Sequence, residues 1–240
     1  MASRHDLPAS IRHGVDIPRI GRLGSPRLIM ANAQPWRGAA IAGIVFCGGF
    51  IIMVLEIVGT RFLAKHFGNS FDVWVNQIGL VMLALALGYY FGGILANRWR
   101  KLKALAWLLV PAAMFTFEIP RFADPLIELV KSPPGQPMTP FRQIFDPILG
   151  DAVVFLLPCA ILAMLSPYLT QLAARSLAQV GRASGGVFAA STVGSIAGVF
   201  VSGYFLLQYL SLSLILHVTG TLILALAVLC VALNGWLLPP

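Results

Sequence analysis

Few residues in this chain could do chemistry, and the most unusual sits in the apolar stretch IIMVLEIVGTRFLAKHFG, residues 51–68. Glu56 stands there among isoleucine, methionine, valine and leucine. Thr60 follows one helical turn on, Arg61 five residues on and Lys65 nine residues on. A carboxylate in such a run must pair with a cation, hold a proton or face a polar cavity, because bare charge in apolar surroundings is costly. Arg61 lies close to the same helical face and is the expected partner. Asn76 and Gln77 open the next apolar run, and Glu118 ends the third. Alternating spans put all of these at one side of the membrane. Glu56, Thr60, Arg61, Asn76, Gln77 and Glu118 are therefore the candidate polar cluster. It would serve either as a proton- or solute-coupling acid site, or as a Glu–Arg pair that fixes the first helix to a neighbour.

Other chemistry is sparse. Cys47, Cys159 and Cys230 each lie in an apolar run with no metal-ligand spacing, and read as small packing residues. His217 has no second His or carboxylate three or four residues away, so no metal is expected. Ser191, Thr192 and Ser195 have no accompanying base and read as helix contacts rather than nucleophiles. No cofactor motif is present, and the basic residues lack the aromatic interleaving of a nucleic-acid surface.

The elements that must position these residues follow from composition. Of 240 residues, 58% are hydrophobic and only 11% charged. A soluble domain carries about a quarter charged residues. The chain reads as an all-α polytopic membrane protein, its partner the lipid bilayer. A spanning helix needs about 20 apolar residues. Six runs qualify within a transmembrane domain at 38–236. They lie at 38–60, 73–96, 103–119, 151–172, 185–208 and 212–234. Residues 1–37 form a basic tail with six arginines against Asp6 and Asp16, expected to be mostly disordered. The 120–150 segment, with seven prolines, is expected to be an outer loop. Its Phe122, Leu126, Ile127 and Leu129 would make one short helix lying on the membrane surface. With the N-terminus inside, twelve Lys and Arg fall on inner segments and five on outer ones. That bias predicts two cytoplasmic termini.

Sliding the chain along itself until Thr60 falls on Thr170 also brings Ala64 onto Ala174, Gly88 onto Gly198 and Gly93 onto Gly203. Three spans per half would make the halves inverted, a 3+3 arrangement used by transporters. Gly88, Gly92 and Gly93 in the second span, and Gly194, Gly198 and Gly203 in the fifth, are expected to be helix-packing positions, since small residues let backbones approach where lipid supplies no hydrophobic drive.

The blocks EIVGTRFLAKHFGNS, LALGYYFGGILANR and SPYLTQLAARSLAQVGRASGGVFAASTVGSIAGVFVSG together resemble the membrane region of fused spermidine-synthase-like proteins. The resemblance covers roughly 40–235. It implies half of a major-facilitator-like transporter, in a bacterial inner membrane, joined in those proteins to a cytoplasmic methyltransferase-like domain. This chain has Ala96-Asn97-Arg98 where the family often has A-D-R, and Ser191 where it has Asn. After NGWLLPP no Gly-rich nucleotide loop follows, so no aminopropyl transfer is expected of this chain. Two functions are expected. The preferred one is a non-catalytic membrane subunit that anchors or organises a separate enzyme or larger complex. The alternative is a homodimeric half-transporter for a small solute, cations included.

Overall fold

The computed structural model describes residues 35–99, 101–131, 139–174 and 177–237. Among these residues there are only helices and their connections. They run α1 (Pro35–Phe67), α2 (Phe71–Arg98), α3 (Leu102–Val130), α4 (Pro140–Asp151), a π-helical turn (Ala152–Leu156), α5 (Leu157–Ala163), α6 (Leu165–Ala173), α7 (Leu177–Val201), a second π-helical turn (Ser202–Leu206), α8 (Leu207–Tyr209) and α9 (Leu212–Leu237). The run from α4 to α6 makes one span, and the run from α7 to α8 another. Six helices are thus long and apolar enough to cross a membrane.

Local chemistry sets the ends. Gly68, at φ +83°, closes α1, and its N–H bonds to Ala64 O at 3.0 Å. Ser70 then caps α2, accepting from Val73 N, and Thr139 caps α4, accepting from Arg142 N. At the opposite end Tyr168 binds the α2–α3 connection. Its hydroxyl donates to Lys101 O at 2.7 Å, also meets Trp99 O, and accepts from Lys101 N at 3.2 Å.

The expected outer loop 120–150 is mostly helix. α3 continues to Val130 with Pro111, Pro120 and Pro125 inside it, and α4 begins at Pro140. Each proline removes one backbone donor, which a helix in water would tolerate poorly. Here packing carries the helix through. Ala123 and Ile127 are fully buried, and α9 comes so close that a Cβ on Gly220 would lie 2.9 Å from Phe117 N. Phe122, Leu126, Ile127 and Leu129 therefore belong to α3 and form no separate surface helix. The Pro-Pro pair at 133–134 lies outside the described residues, as does the basic tail apart from 35–37, which form the first turn of α1.

The offset that lays Thr60 on Thr170 reappears in the packing. α1 packs on α7, α2 on the α4–α6 span, and α3 on α9. Exchanging the halves turns the first contact into the second and the third into itself. The match extends to residues. Gly88 abuts Ala160 O, and a Cβ on it would lie 2.5 Å from the Ala163 Cβ. A Cβ on Gly198 would lie 2.5 Å from Phe50 O and 3.0 Å from the Met53 Cβ. The same offset that relates Gly88 to Gly198 relates Phe50 to Ala160 and Met53 to Ala163. Likewise Thr60 donates to Glu56 O at 3.0 Å and Thr170 to Ser166 O at 2.8 Å. Gly92 meets Met164 and Gly194 meets Phe46 O in the same way. Gly93 and Gly203 do not pack: a Cβ at either would meet only open space. Both lie off the stripe that faces a neighbour.

Candidate functional site

Glu56 lies eleven residues before the end of α1, about 16 Å along the axis at 1.5 Å per residue. It is thus deeper than a span ending at 60 would put it. One face of α2 is buried, through Val73, Gln77, Leu80, Val81, Ala84, Gly88, Gly92 and Ala96, so Gln77 falls on the same stripe as the packing glycines. Gly59 makes room for it, since a Cβ there would lie 2.8 Å from the Gln77 amide. Span four brings the third member. Asp151 is the last residue of α4, immediately before the π-helical turn. Such turns often mark functional positions.

Gln77 and Asp151 are both fully buried. With its amide oriented to satisfy its surroundings, Gln77 Nε2 donates to Asp151 Oδ1 at 3.0 Å and Oδ2 at 3.3 Å. Glu56 lies within electrostatic reach of Asp151, and both lie within reach of the buried Cys159. Glu56 Oε2 is buried, and among the described residues it has no hydrogen-bond partner. Nor does any described lysine, arginine or histidine pair with Glu56 or Asp151. Two carboxyl groups within electrostatic reach of each other, in largely apolar packing, cannot both hold bare charge without a cost on the order of several kcal/mol. A proton or a cation must accompany the pair.

Of the expected cluster, only Gln77, which bonds Asp151, and Glu56, within electrostatic reach of it, belong to this site. Thr60 spends its hydroxyl on the Glu56 backbone. Arg61 is exposed and forms no described ion pair with Glu56. Asn76 turns to α4, donating to Ile144 O at 3.0 Å. Glu118 pairs with Arg121 at 2.8 Å. Helical rotation explains the split, because residues next to each other in sequence point about 100° apart. Near the same end, Asp124 of α3 accepts from Lys65 at 2.7 Å and faces His66 Nε2 at 3.1 Å, tying α1 to α3. His217 packs edge-on against Phe117, rings 4.6 Å apart, as a helix contact would.

A cavity of about 90 Å³ lies between α1, α2, span four and α7. Ile52 and Leu162, Met53 and Ala163, and Leu85 and Ser195 all line it, and each is a pair of equivalent positions in the two halves. It therefore sits on the seam between the halves. Tyr89 and Phe188, 39% and 42% exposed, meet edge-to-face at 6.0 Å on its wall. No group of three or more His, Cys, Asp or Glu suited to a metal occurs among the described residues. No family model, curated protein or solved structure matches the chain.

Proposed function

We propose that this chain is a half-transporter that moves a small solute across a membrane, with Glu56, Gln77 and Asp151 as its proton-coupling site. The observation that carries this reading is the un-neutralised acid pair, Asp151 fully buried and Glu56 half-buried, where α1, α2 and span four meet. Intramembrane acids are costly to keep and mark proton relays. The matched three-helix halves and the cavity on their seam support it, as alternating access needs two such halves around a site. The resemblance to the membrane region of spermidine-synthase-like proteins points the same way. A second copy would supply the remaining six spans. The Lys and Arg bias supports both termini on the cytoplasmic side, and the resemblance a bacterial inner membrane.

Vesicles holding the purified protein and a trapped pH dye test this reading. A pH gradient should drive uptake from a mixture of small amines and polyols, with protons moving alongside. Glu56→Gln and Asp151→Asn should abolish the proton movement while helical content stays unchanged. Proton movement undiminished in both variants would overturn it.

The subunit reading keeps one observation of its own. α2 and α7 are the least buried spans, and their Gly79, Gly93, Gly185 and Gly186 face open space. Purification in mild detergent followed by mass spectrometry would return a stoichiometric enzyme if those faces dock one.

A further inference from the structure

We propose that the seam cavity binds a small, uncharged, hydrogen-bonding molecule of the polyol or amide class; this rests on the transport reading and names its solute. Size sets the first limit. About 90 Å³ is room for roughly three waters at about 30 Å³ each, so the ligand has only a handful of heavy atoms. Chemistry sets the second. No Asp, Glu, Lys, Arg or His lines the cavity. A charged solute would lose its water there and find no counter-charge.

The lining does offer hydroxyls. Thr192 and Ser195 spend theirs on Phe188 O at 2.8 Å and Gly49 O at 3.3 Å. Ser166 and Ser191 have none to spend them on among the described residues, although Ser166 is only 5% exposed and lines the cavity. A bound polyol or amide would supply these hydroxyls with a partner.

For the α7 hydroxyls the repeat offers a comparison. In the first half the positions equivalent to Ser191, Thr192 and Ser195 are Val81, Met82 and Leu85. The first half builds the same helix contacts with apolar side chains at those places. Helix packing at these places therefore does not require a hydroxyl, although Ser195 also ties α7 to α1 through Gly49 O. Gly48 and Gly49, which also line it, keep the wall low on the α1 side.

Glycerol is the probe, with methylammonium as its cationic control. Entry into vesicles carrying the full chain is followed by stopped-flow light scattering. Glycerol should enter faster than into protein-free vesicles, and methylammonium should not. Ser166→Ala and Ser191→Ala each delete one hydroxyl and little volume. Each should slow glycerol entry about five-fold, the worth of one hydrogen bond. Methylammonium entry without glycerol entry would overturn the uncharged class and leave transport standing. Entry of neither would overturn both readings. Glycerol entry at full rate in the doubly substituted protein would show that the solute passes elsewhere, and would overturn this assignment alone.

Discussion

At the residue scale the behaviour of the acid site depends on Gln77. It is fully buried, and its amide donates to Asp151. Gln77→Leu leaves a buried carboxyl unsatisfied and should cost about 1–3 kcal/mol of stability. Adding Asp151→Leu removes both partners and should recover most of that loss. Thermal unfolding of the four proteins in one detergent measures the cycle. Additive losses would mean that the two side chains do not interact. Two of the three residues of this site were legible in the sequence. Glu56 announced itself as a lone acid in an apolar run, and Gln77 shares the stripe of Gly88 and Gly92. Asp151 did not, because it stands at the edge of an apolar run, where an acid looks like an ordinary helix end. Only the extension of span four back to Pro140 turns it into an interior residue. Arg61 misled for the converse reason. Its nearness to Glu56 in sequence suggested a pair, but the side chain is rotated out of the bundle.

At the element scale the helices are held by close backbone approach, and the glycines divide into two kinds. A side chain at Gly88 or Gly194 would strike the backbone of span four or α1, so Gly88→Val and Gly194→Val should destabilise by about 1–3 kcal/mol or more. Gly93 faces open space, and Gly93→Ala should stabilise by about 0.5–1 kcal/mol through helix propensity alone. Equal losses at all three would contradict the packing described. The sequence marked all six stripe glycines alike. It could not resolve which side of each stripe faces a helix and which faces lipid, since both environments are apolar. The same blindness shortened α3. Three prolines signal a break in water, whereas burial against α9 carries the helix past them. Tyr168 belongs to this scale too. Tyr168→Phe frees the 99–101 connection, so limited proteolysis should cut there several-fold faster, with the rest of the bundle intact.

At the scale of the whole molecule, two three-helix halves with matched contacts enclose a cavity on their seam, and an acid site sits at the meeting of α1, α2 and span four. The repeat was visible in sequence as four coincidences, and it is the contacts Gly88–Ala160 and Gly198–Phe50 that give it physical content. If the halves rock about that seam, the cavity must open in turn to each side of the membrane. Ser166 on the cavity wall reports this directly. In a background with Cys47, Cys159 and Cys230 replaced by alanine, Ser166→Cys would be treated with a membrane-impermeant maleimide. The reagent would be applied from one side of sealed vesicles and then, separately, from the other, with Asn69→Cys in the exposed α1–α2 turn and Arg182→Cys near the start of α7, at the opposite end, as controls for reagent access from each side. The account predicts labelling of residue 166 from both sides. Labelling from one side alone, or from neither while the controls react, would contradict it.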